Sequence, residues 1–123
     1  MERRPADPNM ETMSEHLTDV QGVYERLDEI QLVDCRELYE WHAGRIDQAV
    51  HLPLNAIMAG AGADLDPSTP VAVICRTGNR SELATMMLQA RGFEAYNVGG
   101  GMEAWDAAGL PFAAEDGSPG RVA

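Results

Sequence analysis

The sequence predicts a single α/β domain: a small, mainly parallel β-sheet flanked by helices on both faces. Three observations carry that reading. Val71-Ala72-Val73-Ile74 is apolar at every position, the pattern of a short strand covered on both sides, as in a parallel sheet. Strand-like and helix-like runs alternate along the chain, which is how βαβ units look in sequence. The length of 123 residues suits one domain, and 45% apolar residues, with aromatic residues spread from Tyr24 to Trp105, suffice for a core. No internal repeat is visible.

Taken in order, residues 1–16 are polar and read as a flexible leader. Thr18-Asp19-Val20-Gln21 resembles a capping box with Thr18 as the cap. Val20, Val23, Tyr24 and Leu27 then keep helical spacing, so a helix is expected over 19–28. The run 30–34 is a short strand ending in a carboxylate. A helix over 37–43 is closed by Gly44. A weak strand over 49–52 precedes Pro53, and 55–61 reads as a short helix. Asp and Pro make 64–70 a loop. After the strand at 71–74, residues 81–91 form the best helix, closed by Gly92. A strand over 96–98, three glycines and a helix over 102–108 ending at Gly109 complete the domain, which spans 17–112. Residues 113–123 are acidic, then rich in Gly and Pro, and read as a flexible tail.

The formal net charge of −11 argues against nucleic acid, whose phosphates need a basic surface, and against anionic membranes. No stretch approaches the roughly 18 apolar residues of a membrane span. The first residues lack the apolar segment of an export signal, so a cytoplasmic location is expected. The two cysteines, Cys35 and Cys75, are then expected as reduced thiols. Without a Cys-x-x-Cys pair they make a poor zinc site, so no metal and no cofactor are expected.

The informative segment runs from Val71 to Ser81. A buried strand ends at Cys75, five residues containing Gly78, Asn79 and two arginines come next, and a helix starts near Ser81. Ligands bind beyond the carboxyl ends of parallel strands, so Cys75 stands where sites are built. An ordinary thiol has a pKa of about 8.5 and attacks only as the thiolate. Three features favour the anion: the positive end of the following helix, a Gly-containing loop that can turn its N–H groups inward, and the charges of Arg76 and Arg80. A cysteine persulfide, also an anion, would be held equally well. Four residues separate Cys75 from Arg80, and Ser81 occupies the position an arginine would take in the longer Cys-x5-Arg loop of cysteine phosphatases. The shorter ring suits a single sulfur on the cysteine.

These residues resemble the rhodanese-like domain family. Cys75-Arg76-Thr77-Gly78-Asn79-Arg80-Ser81 is similar to the active-site loop of its thiosulfate-using members. Leu32-Val33-Asp34-Cys35-Arg36-Glu37 with Glu40-Trp41 and His42-Ala43-Gly44-Arg45-Ile46, then Ala49-Val50-His51-Leu52-Pro53-Leu54, resemble its upstream signature. Gly100-Gly101-Met102, Ala104-Trp105 and Gly109-Leu110-Pro111 resemble its C-terminal one. The resemblance implies a thiosulfate sulfurtransferase. Cys75 would take sulfane sulfur from a thiosulfate-like anion, release sulfite, hold a persulfide, and pass the sulfur to a thiophile such as a thiol. Arg76, Thr77, Gly78, Asn79 and Arg80 would bind the donor and cradle the sulfur, with Asp34, Arg36 and Ser81 in support. Two alternatives accompany it: a non-enzymatic persulfide relay serving a sulfur-trafficking protein, and an arsenate reductase or phosphatase, which the Cys-x4-Arg count disfavours. The chain departs from the family at Arg45-Ile46-Asp47-Gln48-Ala49, which lacks the usual Pro-Gly, and at Cys35, where an apolar residue is usual.

Other candidates have simpler readings. Asp34 and Arg36 are expected to brace neighbouring loops, and Cys35 to fill a Val-sized core position, with a disulfide to Cys75 as its alternative role. An anionic nucleophile needs no base, so His42 and His51 are expected outside the chemistry. Gly99 to Gly101 lacks the G-x-G-x-x-G spacing and reads as a tight turn.

Overall fold

The computed structural model describes residues 8–123, with side chains from residue 13 onward. Four parallel strands form one sheet in the order β2-β1-β3-β4: β1 Gln31–Asp34, β2 Val50–His51, β3 Val71–Ile74 and β4 Ala95–Asn97. The two central strands are in register from Gln31↔Val71 to Asp34↔Ile74. Helices α1 Pro8–Leu17, α2 Val20–Glu25, α3 Leu38–Ala43, α4 Leu54–Met58, α5 Asn79–Ala90 and α6 Gly101–Ala107 complete the fold.

Because side chains alternate along a strand, the apolar run of β3 feeds two cores. Ala72 and Ile74 join Leu32, Leu17, Val20, Val23, Val98, Met102 and Trp105 under α1, α2 and α6. Val71 and Val73 join Val33, Ile57, Ala84, Leu88 and Ala95 under α4 and α5. All four β3 residues are fully buried, as a strand covered on both faces requires.

The connections leave the two central strands in opposite directions. From β1 the chain runs through α3 to β2 on one side; from β3 it runs through α5 to β4 on the other. The carboxyl ends of β1 and β3 therefore flank a topological switch point, where open α/β sheets hold their ligands.

Three expectations need correction. The N-cap of α2 is Asp19, whose carboxylate accepts from the Gly22 N–H; the Thr18 hydroxyl instead donates back to the Ser14 carbonyl. The leader is not all irregular: α1 occupies 8–17, with Leu17 fully buried and Met13 against the core. The spacing Met10, Met13, Leu17 was its sequence signal. Residues 1–7 of that expected leader lie outside the described residues. The tail folds back: Ala113 bridges to Arg45 and Pro119, and Arg121 donates to the Ala43 carbonyl. Backbone pairing of this kind leaves no mark on composition. No helix among the described residues is long and apolar enough to cross a membrane.

Candidate active site

Cys75 is the residue after β3, and the site around it begins with backbone directions. The Met102 N–H donates to the Cys75 carbonyl at 2.8 Å, and the Glu103 N–H to the Arg76 carbonyl at 3.0 Å. Both donors sit in the first turn of α6, whose N–H groups have no partner within the helix. With the loop carbonyls held there, its amides are free to face the sulfur. Gly101 makes the approach feasible: a Cβ on it would lie 2.3 Å from the Cys75 carbonyl oxygen, and its φ is +57°. The glycine run expected as a simple turn thus seats the loop on α6.

Gly78 has a φ of +105°, the left-handed region glycine enters without strain. It turns its own N–H to the Cys75 Sγ at 3.1 Å. The Ser81 N–H, in the first turn of α5, reaches the same sulfur at 3.4 Å, and the Ser81 Oγ lies at 3.2 Å. Ser81 also bonds to the Asn97 Oδ1, while the Asn97 Nδ2 donates to the Gly78 carbonyl at 3.0 Å. The Ser81 hydroxyl has one proton and two acceptors in reach, so it serves an ionised sulfur or Asn97, one at a time. Asn97, a polar residue closing β4, belongs to no sequence motif; its signal was its place at the carboxyl end of a strand.

These contacts favour the ionised form of the sulfur. The neighbouring Cys35, opposed by burial and assisted by the Ser81 and Gly78 contacts, shifts the Cys75 thiol well below its ordinary pKa. Cys35 moves the opposite way: the neighbouring Cys75, burial and nearby negative charge push it far up. Both cysteines are buried among apolar side chains, yet polar donors reach Cys75.

Both arginines expected to bind the donor are paired with carboxylates. Arg80 grips Glu40 with both terminal nitrogens, at 2.6 and 2.8 Å. Arg76 meets Glu103 at 3.0 Å on the surface. Two positive and two negative charges therefore cancel beside the loop, and its field comes chiefly from oriented N–H groups. Glu40 is fully buried; burial works against its charge, but Arg80 and the backbone N–H of Glu37 hold its pKa below the usual carboxylate value. Its position three residues after Glu37 was the sequence signal. Thr77 and Asn79 are exposed at the loop surface.

Asp34 and Arg36 form a buried pair at the end of β1. Arg36 donates through Nε and Nη2 to the Asp34 carboxylate, the shorter contact being 2.7 Å, and through Nη2 to the Gly44 carbonyl at 2.7 Å. Its carbonyl pairs with the His51 Nε2 at 2.7 Å, and His51 stacks on Trp41. The set ties β1, the end of α3 and β2 together. His42 meets Glu115 of the folded-back tail. Among the described residues no cluster of His, Cys, Asp or Glu is placed to hold a metal ion.

Comparison with known proteins agrees with this geometry. The model of the rhodanese-like domain matches residues 19–108. YtwF of Bacillus subtilis, provisionally named a sulfurtransferase, is 39% identical over 64% of this chain and 76% of its own. The thiosulfate sulfurtransferase GlpE of Pseudomonas savastanoi pv. phaseolicola is 40% identical over 62% and 72%. The crystal structure of a rhodanese-related protein from Thermoplasma volcanium superposes with a TM-score of 0.73 at 29% identity, covering 79% of this chain and 96% of that one. The chain belongs to the rhodanese-like domain family, and its relatives mark it as a protein of sulfur transfer.

Proposed function

We propose that this chain is a thiosulfate sulfurtransferase whose Cys75 carries the sulfur as a persulfide. The Cys75 thiolate attacks the outer sulfur of a thiosulfate-like anion; the S–S bond of the donor breaks and sulfite leaves with the electron pair. Cyanide or a thiolate then attacks the outer persulfide sulfur and restores the Cys75 thiolate. Charge balances in both steps, so no general base is needed. The observation that carries this reading is the convergence of the Gly78 and Ser81 amides on the Cys75 Sγ, because the same donors suit a thiolate and a persulfide anion.

In this reading Arg76 and Thr77, at the exposed rim, meet the incoming anion. Gly78, Asn79 and Arg80 shape the loop, Arg80 through Glu40. Ser81 holds the sulfur, and Asp34 and Arg36 brace the adjoining strand end. The phosphatase and arsenate-reductase alternatives lose ground because Ser81 touches the sulfur where the longer loop would continue to its arginine.

The test is Cys75→Ser assayed for thiosulfate:cyanide transfer. Activity should fall to the rate without protein while the far-ultraviolet circular dichroism is unchanged. Turnover retained by that variant would refute Cys75 as the carrier. A relay reading draws on YrkF of Bacillus subtilis, provisionally named a sulfur carrier protein, 32% identical to 63% of this chain. The chain spans 42% of that relative's length. A persulfide formed only from a protein donor, and not from thiosulfate, would favour the relay.

A further inference from the structure

The sequence puts Cys35 where a Val-sized apolar residue would serve, and sulfur transfer through Cys75 alone makes and breaks no bond at its sulfur. Its position is unusual. The β1–β3 ladder does not stop at Asp34↔Ile74: the Cys35 N–H donates to the Ile74 carbonyl at 3.0 Å. That is the bond pattern repeated from Gln31, whose N–H meets the Pro70 carbonyl while Gln31 pairs with Val71. Cys35 therefore pairs with Cys75. Neighbouring strands run about 4.8 Å apart, within the range of Cα separations that a disulfide spans. Val33 and Val73, paired two residues earlier, share one face of the sheet. Side-chain alternation puts Cys35 and Cys75 on that same face, in the same apolar cluster. The amides of Gly78 and Ser81 approach the Cys75 sulfur from the α5 end, and Cys35 approaches from the β1 side.

We propose that Cys35 is a resolving thiol that converts the Cys75 persulfide into a Cys35–Cys75 disulfide and releases the carried sulfur as hydrosulfide. This rests on the persulfide reading. The outer persulfide sulfur takes the Cys35 proton. The Cys35 sulfur attacks the Cys75 Sγ, the bond between the Cys75 Sγ and the outer sulfur breaks, and HS⁻ departs with the electron pair. The sulfane sulfur is reduced and the two cysteines are oxidised, so the step needs no other oxidant. One negative charge enters and one leaves. An external dithiol then restores both cysteines. With thiosulfate as donor the chain thereby makes sulfite and sulfide, a reaction distinct from transfer to cyanide. Attack by an outside thiophile on the outer sulfur competes with it.

The experiment mixes fully reduced protein with thiosulfate, without acceptor, and follows three products: sulfite, sulfide and the intact protein mass. The wild type should release sulfite and sulfide in equal amounts, up to one of each per chain, and end two hydrogens lighter. Cys35→Val and Cys35→Ala should release sulfite alone and hold one extra sulfur atom. A wild-type protein that keeps the extra sulfur and yields no sulfide overturns this inference and leaves the persulfide reading standing. No sulfite and no change in mass overturns both. Because the wild-type masses alone decide the matter, poor folding of either variant does not remove the test.

Discussion

The dipeptide Cys-Arg occurs twice in this chain, each time just past the carboxyl end of a central strand: Cys35-Arg36 after β1 and Cys75-Arg76 after β3. The two copies lie side by side in the sheet and differ in almost every property that matters for chemistry. Cys75 is pulled toward the thiolate and Cys35 is kept a thiol. Arg36 is fully buried on Asp34, while Arg76 is half exposed and pairs with Glu103. The difference originates in the segment that succeeds each dipeptide. After Cys75 come the left-handed Gly78 and the first turn of a twelve-residue helix, whose N–H groups close on sulfur. After Cys35 comes a shorter helix whose first turn is occupied by carboxylates, with Glu40 accepting from the Glu37 N–H. Residue type supplies a sulfur in both places; the donors gathered around Cys75, backbone amides among them, favour the charged form there.

The comparison can be broken at either end. The largest effect on stability is expected at β1. Asp34→Ala leaves the Arg36 guanidinium buried without its partner, and should cost about 3–5 kcal/mol in urea unfolding; a loss under about 1 kcal/mol would mean that Arg36 finds water instead. At β3, Gly101→Ala collides with the Cys75 and Arg76 carbonyls and should push the loop off α6. Stability should fall modestly, but kcat/KM for thiosulfate:cyanide transfer should drop by about 100-fold, the scale of an ångström's misplacement. Unaltered kinetics in that variant would show that the α6 contacts do not set the amide directions.

The smallest effect sharpens the contrast between the two sulfurs. Alkylation by iodoacetamide follows the thiolate fraction. Since the folded pKa of Cys75 lies below its unfolded value, its reaction should stay fast as pH falls through the ordinary thiol range of about 8–9 and slow only near the lowered value. Cys35, shifted the other way, should stay unmodified until the protein is unfolded. Peptide mapping after labelling at about pH 6, well below the ordinary thiol range, reads both at once; equal labelling would remove the distinction.

Much of the fold was legible before the structure. Val71 to Ile74 declared a strand buried on both faces, and the glycines at 44, 92 and 109 marked helix ends that the structure places within a residue or two. The errors lay where local signals compete or vanish. Thr18 and Asp19 are both good caps, and the structure uses Asp19 while the Thr18 hydroxyl turns back to Ser14. The tail from Ala113 is held by backbone bonds to Arg45 and Ala43, which no side-chain pattern announces. At the site, Cys75, Gly78 and Ser81 could be read from the strand–loop–helix order. Glu40 and Asn97 left only a local signal each, and that they and the α6 amides join the site could not be read, because each comes from an element distant in sequence.

By itself, the sequence determined that a cysteine would stand at the mouth of a parallel sheet ahead of a helix, since apolar runs and glycines are local instructions. Only the tertiary structure decided that Arg80 would be spent on Glu40, that α6 would draw the loop carbonyls aside, and that the two cysteines would share one buried cluster. Charge pairing and strand register depend on groups brought together across tens of residues, and chain order alone carries no record of which neighbour each one meets.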